Sequence, residues 1–447
     1  MQANYQNVTL TGGFWKAKED LNRDVTIDAV YDRFDETGRI AAFRCDWKDG
    51  MPYRPHIFWD SDVAKWMEGA AYQLSRDDNP ALRAKVESLI DEIEKNQHPD
   101  GYFNIYYTVV DPAHRFTNRD NHELYCAGHL IEAAVAYHDA VGDTRFLGLM
   151  EKYARYIKSV FMDDTGDVVP QFATPGHEEL EIALVKLWHA TGEAAYLDLA
   201  AFFIDRRGYG DRGEPLDTSN QSHMPLREQR SVVGHSVRAG YIYAAMADLA
   251  REKNDAALDE ACCALFEDMA YRKMYVTGGL GSTNVGEAFT IPYDLSNDKA
   301  YAETCASIAM ILFAHRMFLL HHASKYADVV ELELYNGMLS GLSLSGGGGT
   351  VAGDVRLNGP LVVDARNRTA LAPLVVTGNL VIGDAATVLV RNYLNLAGSA
   401  RHPALVVQGA VTGDFADVQG LAGAWRFVRA GNTWSILHAL GTWLIFR

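Results

Sequence analysis

Cysteine is scarce in this sequence. Five cysteines occur among 447 residues, whereas a secreted domain built on disulfides carries an even number at a much higher density. The composition therefore excludes a disulfide framework and predicts free thiols or metal ligands. The five are Cys45, Cys126, Cys262, Cys263 and Cys305.

The sequence also lacks the features of a secretory leader and of a membrane anchor. Its first residues, MQANYQNVTLTGGFW, contain neither a basic segment nor an apolar one. No later run approaches the roughly 18 consecutive apolar residues of a membrane span. We therefore expect a cytoplasmic protein without a membrane partner.

Lysine and glutamate are absent from residues 346–447. Eight arginines and five aspartates give this segment a net charge of +3, so the total of −17 leaves −20 for residues 1–345. Such an acidic body repels a phosphate backbone, which argues against nucleic acid as a partner. The change in composition falls on Ser345 and the four glycines after it, a flexible-linker sequence. We predict a domain boundary there.

Residues 1–345 are typical of repeated pairs of helices. In HLIEAAVAYHDAVGD, residues 129–143, apolar side chains recur at helical spacing until Gly142, and a second helix follows in residues 144–161. The pattern returns in residues 184–204, and more weakly in 72–90 and 246–269. Turns that lie about 50–65 residues apart indicate two-helix units that bury their apolar faces against neighbours. We therefore predict a mainly α domain, either an α/α solenoid or a closed α/α toroid.

Residues 346–447 are instead typical of short strands. Four runs, PLVV, PLVV, NLVI and ALVV, are rich in Val and Leu and are separated by Gly, Asn and Asp. A β-sandwich and an irregular β-solenoid both remain open, and repeated phrases similar to GNLVIG favour the solenoid. The runs occupy residues 360–363, 373–376, 379–382 and 404–407.

A cluster of aromatic and acidic residues lies in FWDSDVAKW, residues 58–66. The faces of Trp59 and Trp66 beside the carboxylates of Asp60 and Asp62 would suit a sugar ring, which has both C–H and O–H surfaces. A capping aspartate followed by core-facing tryptophans explains the same residues equally well. Both interpretations stand at this point.

Three histidines lie at junctions between loops and helices. His122 occurs in NHELYCAGHL, His177 in PGHEELE and His235 in VVGHSVRAG. A single histidine without a spaced partner is commonly a core or capping residue. Three histidines at similar junctions are stronger candidates to line one site.

The segment GEAFTIPYDLSNDKAYAETCASIAM, residues 286–310, holds two glutamates and a cysteine. On an ideal helix Glu303 and Cys305 point about 200° apart, so they can share one metal only if the helix begins at about Cys305. A thiolate and a carboxylate suit zinc, which would need further Cys or His ligands. Glu287 stands apart and is a candidate general acid. Alternatively, Cys305 is a buried hydrophobe and Glu303 a first-turn carboxylate favoured by the helix dipole.

These motifs resemble one known family, the zinc-dependent β-L-arabinofuranosidases of glycoside hydrolase family 127. The resemblance covers roughly residues 5–345, and its most specific parts are VGEAF and ETCAS. It is also carried by NVTLTGGFW, DSDVAKW, HELYCAGHLIEAAVAYH, GHEELEIALVKL, GHSVRAGY, RKMYVTGGLGSTN and YADVVELELYNGMLSGLSLSG.

The resemblance implies a fold, an activity and a set of site residues. The fold would be an (α/α)6 barrel, or toroid, followed by a β-rich segment. The activity would be that of a retaining glycosidase releasing terminal β-L-arabinofuranosyl residues from arabino-oligosaccharides or glycoconjugates, with a homodimer left open. Glu287 would be the acid/base, and Glu303 and Cys305 would be zinc ligands. The residues that would line the sugar pocket are His122, His177 and His235.

The sequence departs from the family after residue 345. The family continues into a segment with a CxCCPxN motif, whose paired cysteines supply the remaining zinc ligands and the thiolate nucleophile, but here no cysteine follows Cys305. Cys262 and Cys263 lie upstream in a periodic helix, where adjacent side chains point about 100° apart, and we interpret them as packing residues. The helical domain, residues 1–345, is therefore expected to be C-terminally incomplete, and residues 346–447 do not resemble the family.

Three functions are compatible with these observations. The first is a β-L-arabinofuranosidase of this family. The second is a catalytically dead, sugar-binding pseudo-enzyme or chimera, and the third is another α/α-toroid carbohydrate enzyme that needs no zinc. Turnover separates the first from the second, and metal content separates the first from the third. We expect the first.

Overall fold

The computed structural model describes residues 5–341 without a gap and shorter stretches of the remaining chain. The chain forms two compact units, Met1–Thr11 with Ile27–Gly341, and Gly12–Thr26 with Leu342–Arg447. The boundary predicted at Ser345 lies outside the described residues. Beyond residue 341 the described residues are 349–351, 355–357, 361–364, 374–376, 379–384, 386–391, 401–408, 410–419, 421 and 425–438.

Helices dominate the described part of the chain. Short 3-10 turns at Arg119–Asn121, Leu226–Glu228 and Val285–Glu287 interrupt the loops between them. The α-helices are, in order, α1 (Gly13–Leu21), α2 (Ile27–Glu36), α3 (Arg39–Ala42), α4 (Trp59–Leu74), α5 (Pro80–Asn96), α6 (Tyr106–Val109), α7 (Glu123–Val141), α8 (Arg145–Phe161), α9 (Leu180–Thr191), α10 (Ala194–Arg206), α11 (Ser236–Lys253), α12 (Ala256–Arg272), α13 (Thr304–His321) and α14 (Ser324–Leu332).

Five helical hairpins make up the body of the first unit within residues 27–341. They are α4–α5, α7–α8, α9–α10, α11–α12 and α13–α14, and the two helices of each hairpin are in contact. The four pairs predicted from the sequence are present, and α13–α14 adds a fifth. The first unit is therefore mainly helical, as expected.

The helix ends follow local sequence features. Gly142 and Gly192 end α7 and α9 in the left-handed region, each at φ 73°, where a residue without a Cβ atom costs least. At the start of α5, the side chain of Asn79 accepts the backbone N–H of Leu82. Asp255 caps α12 in the same way, and such caps contribute about 1 kcal/mol each.

The first helices of the hairpins form an inner layer. Helices α4, α7, α9, α11 and α13 contact one another in that order. Helices α7 and α11 are buried along most of their length, whereas α8 buries one apolar side and exposes the other. The inner helices therefore hold the core, and their N-terminal ends carry the residues described in the next section.

Two glycines allow the inner helices to approach closely. A Cβ atom on Gly128 of α7 would lie 2.6 Å from Glu179 Cγ and 2.9 Å from the backbone nitrogen of Leu180, at the start of α9. A Cβ atom on Gly240 of α11 would lie 2.5 Å from the Cβ atom of Ala309 in α13. Any larger residue would push these helices apart, because packed interiors leave no room for an added methyl group.

Helix α13 is long and apolar enough to cross a membrane by length and hydropathy alone, with a mean hydropathy of 1.4 over 18 residues. No such run was expected from the sequence. The helix contacts α11 and α14, and the buried guanidinium of Arg316 in α13 pairs with Asp248 of α11. These contacts are those of a core helix.

The second unit contains short strands joined mostly in parallel. Strand n pairs with strand n + 3 in three parallel ladders, β1–β4–β7, β2–β5–β8 and β3–β6–β9, the connectivity of a parallel solenoid with three strands per turn. The hairpin β10–β11 then adds antiparallel to β7. The described strands are β1 (Gly349–Val351), β2 (Val355–Leu357), β3 (Leu361–Asp364), β4 (Leu374–Val376), β5 (Leu380–Ile382), β6 (Thr387–Arg391), β7 (Arg401–Val407), β8 (Val411–Thr412), β9 (Asp417–Gln419), β10 (Trp425–Ala430) and β11 (Thr433–His438).

The interior of the second unit is apolar. Leu380, Leu405 and Trp434 belong to one buried cluster, and Val388 and Ile436 belong to another. The four runs expected to be strands overlap β3, β4, β5 and β7 at residues 361–363, 374–376, 380–382 and 404–407. Among their described side chains, Val376, Leu380, Ile382, Leu405 and Val407 are buried and contribute to this interior.

Candidate active site

Most of the candidate residues lie at the N-terminal ends of inner helices. His122 precedes α7 in the left-handed region, at φ 59°, and His235 precedes α11. Glu303 precedes α13 in an extended conformation, and Cys305 is the second residue of that helix. His177 lies three residues before α9. One end of the inner layer therefore collects these side chains.

The three histidines form a row with His177 at its centre, here called the histidine row. The ring centroids of His122 and His177 are 5.7 Å apart, and those of His177 and His235 are also 5.7 Å apart. Two tyrosines flank the centre of the row: the rings of Tyr125 and Tyr241 lie 4.3 Å and 5.9 Å from His177. The structure thus brings together the three histidines that were selected from separate sequence motifs.

Glu287 joins the histidine row through His235. Its Oε2 lies 2.9 Å from His235 Nε2, and its Oε1 accepts a hydrogen bond of 3.1 Å from the hydroxyl of Tyr301. The backbone carbonyl of Glu287 accepts a further bond of 3.0 Å from Ser236 Oγ. The carboxylate remains 40% exposed, so a ligand can reach it.

The fold determines which nitrogen of His235 carries the proton. His235 Nδ1 accepts the backbone N–H of Val237 at 3.2 Å, so the neutral ring holds its proton on Nε2. That Nε2–H donates to Oε2 of Glu287. The hydroxyl of Tyr301 can either donate or accept. Oε1 of Glu287 can therefore gain or lose a proton and keep its hydrogen bond to Tyr301 in both states.

Burial and a nearby guanidinium keep the histidine row neutral. Burial, followed by the charge of Arg238, lowers the pKa of His122 to about 4. The same two causes hold the pKa of His177 well below its usual range, and they lower the pKa of His235 although Glu287 opposes them. Neutral imidazoles both donate and accept hydrogen bonds, which suits an uncharged polar ligand such as a sugar.

Glu303 and Cys305 meet the geometric condition for sharing one metal. Because α13 begins at Thr304 and Glu303 is extended, the two side chains are not on opposite sides of a helix. Burial, together with the neighbouring carboxylate of Glu303, raises the pKa of Cys305 to about 12. Glu303 Oε2 is buried and has no hydrogen-bond partner among the described residues.

These two residues fit half of a tetrahedral metal shell. The unpartnered oxygen of Glu303 and the exposed sulfur of Cys305 are donor types that zinc accepts. Among residues 5–341 they belong to no group of three donors, whereas two other such groups exist. The other groups are His129 with Glu132 and Glu179, and Asp259 with Cys263 and His321.

The aromatic and acidic cluster of residues 58–66 is structural. Trp59 and Trp66 are buried, and the indole N–H of Trp66 donates to the backbone carbonyl of Ile27 at 2.8 Å. Asp60 accepts the backbone N–H of Ile105 at 2.8 Å. The tryptophans are core residues, as one of the two interpretations holds, and have no open face for a sugar. The capping part of that interpretation is wrong, because α4 begins after Phe58 without a side-chain cap and Asp60 binds the Ile105 backbone instead.

Sequence reasoning missed Lys65, Arg238 and Tyr301. Arg238 lies one helical turn after His235 and Tyr301 lies two residues before Glu303, so both are close in sequence to residues that were identified. Lys65 comes from α4, its ammonium lies 4.7 Å from the centroid of the Tyr125 ring, and burial lowers the pKa of Lys65. No local pattern in the sequence indicated that this lysine faces the site.

The two adjacent cysteines of α12 face different surroundings. Cys262 is fully buried in the core, with its sulfur 4.0 Å from the carbonyl oxygen of Tyr243. Cys263 is half-buried and contacts Asp259 and His321. The interpretation of Cys262 as a packing residue agrees with the structure, while Cys263 belongs to a polar cluster.

Comparison with known proteins identifies the family. A family model described as "Beta-L-arabinofuranosidase, GH127 catalytic domain" matches residues 7–351. A non-reducing end β-L-arabinofuranosidase from Bifidobacterium longum subsp. longum is 35% identical, and the match covers 76% of this chain and 58% of that protein.

Two solved structures agree with this match. The crystal structure of a GH127 β-L-arabinofuranosidase from Geobacillus stearothermophilus T6 is 45% identical, with a TM-score of 0.71, and the match covers 76% of this chain and 57% of that one. A further GH127 β-arabinofuranosidase is 38% identical, also with a TM-score of 0.71, over 76% and 55% of the two chains. The chain thus spans less than two thirds of the length of these relatives, and it belongs to glycoside hydrolase family 127.

Proposed function

We propose that this chain is a retaining glycoside hydrolase that releases terminal β-L-arabinofuranosyl residues from arabino-oligosaccharides or glycoconjugates. Family membership and the name of the bifidobacterial relative support the substrate class. We also propose that its hairpins belong to an (α/α)6 barrel. The ordered contacts of the inner helices support that architecture, as does the packing of α2 on α4, which would extend the layer beyond the five hairpins.

The observation that carries this proposal is the setting of Glu287. Its carboxyl group is partly exposed, lies at the His235 end of the histidine row, and is held by His235 and Tyr301. A glycosidase needs a positioned carboxylic acid at the glycosidic oxygen. Glu287 would give the proton on Oε1 to that oxygen as the bond to the anomeric carbon breaks and a nucleophile, by family resemblance a cysteine thiolate, bonds to the same carbon. The resulting carboxylate would later take a proton from the water that displaces this nucleophile.

The histidine row would bind the sugar hydroxyls. His122 and His177 are neutral, and His122 Nδ1 is buried without a hydrogen-bond partner in the described part of the chain. A buried polar atom of this kind costs free energy unless a ligand completes it, by about 1–3 kcal/mol. The rings of Tyr125 and Tyr241 would pack on the apolar faces of the sugar.

Glu303 and Cys305 would supply two ligands of a zinc site. When bound, zinc would lower the pKa of a coordinated thiol and keep the sulfur ionised. The charge of Lys65 also lowers the pKa of Cys305, but burial and Glu303 raise that pKa by more. Two ligands alone predict weak binding, and the family resemblance assigns the other two to paired cysteines that have no counterpart after Cys305.

A second candidate, sugar binding without turnover, is favoured by the positions of the cysteines in the sequence. A retaining mechanism needs a nucleophile as well as an acid. By resemblance to the family that nucleophile is a thiolate from paired cysteines, and no cysteine follows Cys305 in this sequence. Under this candidate the site binds arabinofuranosyl groups and forms no glycosyl-enzyme intermediate.

Release of arabinose from a β-L-arabinofuranosyl disaccharide tests the proposal. The full chain and its Glu287→Gln variant are compared, and calorimetry measures disaccharide binding in parallel. Release by the wild type alone supports the hydrolase. Binding by both proteins without release supports the second candidate, and absence of both binding and release contradicts the proposed substrate class.

A further inference from the structure

A second cluster of donor atoms lies at the far end of α13 from Cys305. Asp259 and Cys263 are four residues apart on α12 and so share one face of that helix. His321 is the last residue of α13. It lies about 24 Å along that helix from Cys305, at 1.5 Å per residue. The cluster is therefore separate from the histidine row and from the Glu303–Cys305 pair.

The three side chains are already close enough to share one ion. His321 Nε2 lies 2.8 Å from Asp259 Oδ1 and 3.4 Å from Cys263 Sγ. Cys263 Sγ lies 3.6 Å from Asp259 Oδ1. Zinc bonds of about 2.0–2.3 Å in a tetrahedral shell place ligand atoms about 3.3–3.8 Å apart. The observed separations need only small side-chain adjustments to match.

We propose that Asp259, Cys263 and His321 form a metal site for zinc or a similar divalent transition metal. One sulfur, one nitrogen and one oxygen donor match the preferences of zinc, whereas magnesium and calcium select oxygen ligands. The side chains of His321 and Asp259 are 29% and 36% exposed. The fourth position therefore faces solvent, and water completes the shell.

The surroundings hold the ligands in place and balance the nearby charge. The buried ring of Tyr326 stacks on the His321 imidazole, with centroids 5.7 Å apart and planes at 27°, which fixes the orientation of that ligand. Lys325, the neighbouring cation, forms an ion pair of 2.7 Å with Glu267. Its charge is thus neutralised and does not exclude a metal ion. The site would tie the C-terminal end of α13 to α12.

Cobalt titration of the full chain tests this site, because a cobalt ion bound to a thiolate gives a charge-transfer absorption band. The Cys305→Ser variant removes the thiol of the proposed Glu303–Cys305 zinc site. We expect this variant to keep a thiolate band that saturates at one equivalent. The double variant, Cys263→Ser with Cys305→Ser, should lose the band entirely while its circular dichroism spectrum stays unchanged.

A matched pair of histidine variants provides the control. His321→Asn removes a ligand, whereas His322→Asn changes the adjacent residue, whose left-handed φ of 55° asparagine tolerates. Mutating even a hydrogen-bond partner of a metal ligand costs about 10–100-fold in affinity, so His321→Asn should weaken zinc binding by at least that range. His322→Asn should leave it unchanged.

Either of two results would contradict the proposed metal site. If Cys305→Ser shows no thiolate band, or if His321→Asn and His322→Asn bind zinc with equal affinity, the three side chains form a hydrogen-bond network only. The zinc affinities are measured by competition with a chromophoric chelator. This readout does not depend on glycosidase activity, so it is independent of the proposed function.

Discussion

His235 Nε2 lies 2.9 Å from Oε2 of Glu287, while Nδ1 of the same ring accepts the backbone N–H of Val237 in the first turn of α11. The cap of a helix thus fixes the proton of one histidine on the nitrogen that faces the carboxylate. As a result, one oxygen of Glu287 is held by a permanent donor, and the other, beside Tyr301, is free to exchange a proton.

Glu287→Gln should abolish release of sugars from poor leaving groups. General acid catalysis contributes about 10²–10⁴-fold to the rate, and glutamine cannot supply the proton. A substrate with an acidic phenol as leaving group needs less protonation and should lose less activity. Kinetics on both substrates, with a thermal melt to check the fold, measure this. Equal losses on both would contradict an acid role.

The His235→Asn variant should keep the cap of helix α11 but lose the positioning of Glu287. Asparagine still accepts an N–H at the helix start but is too short to hold Glu287 in the same place. Thermal unfolding should therefore change little, while kcat falls about 10–100-fold because the acid is misplaced. His235→Ala, the comparison variant, should also lose about 1 kcal/mol of stability with the cap. An Asn variant with wild-type kcat would show that the contact to Glu287 does not matter.

The stability of the protein should fall as pH drops from about 6.5 towards 4, in part because of His122. The pKa of His122 is lowered to about 4 in the folded chain from an ordinary value of 6.5. The unfolded chain therefore binds a proton first, and acid favours unfolding. The contribution is at most about 3 kcal/mol.

His122→Asn should reduce this acid sensitivity, since asparagine tolerates the left-handed backbone and does not titrate. Urea unfolding of both proteins at pH 7.5, 6, 5 and 4 checks the prediction. The difference in the free energy of unfolding between the two proteins should shift in favour of the variant as pH falls. A difference independent of pH would place the pKa of His122 near its ordinary value.

Gly128→Ala should destabilise the first unit, because the added Cβ atom would meet Glu179 and the backbone of Leu180. Overpacking of this kind costs about 1–3 kcal/mol. Gly148→Ala is the matched control: it lies inside α8 with no neighbouring atom within 4 Å of the added Cβ atom. That variant should gain roughly 0.5–1 kcal/mol from helix propensity. Denaturant unfolding of the two variants should therefore move in opposite directions.

Much of the helical unit could be predicted because its features are local. Apolar periodicity located four hairpins, and Gly142 and Gly192 marked the ends of two helices as predicted. Residues 346–447 are harder to predict. Their short apolar runs indicate strands and their repeated phrases favour a solenoid, but the pairing of each strand with the third one after it depends on contacts that no local pattern specifies. Helix α13 is apolar around its circumference, so periodicity gave no information on its partners.

The candidate site was predictable to the extent that its residues sit at helix starts. His122, His177 and His235 were selected as junction residues, and the structure places them in one row. Lys65 and Arg238 could not be found in this way, because long cationic side chains are usually solvated and only the fold reveals that these are directed at the site. The assignment of roles to Glu303 and Cys305 stays a prediction that metal analysis must test.

Arabinose release from a β-L-arabinofuranosyl disaccharide by the full chain, measured beside its Glu287→Gln variant, tests the proposed hydrolase most directly. We expect release by the wild type and none by the variant, with disaccharide binding retained in both. Equal release by the two proteins would contradict the role of Glu287. Failure of the wild type both to bind and to cleave the disaccharide would contradict the proposed function itself.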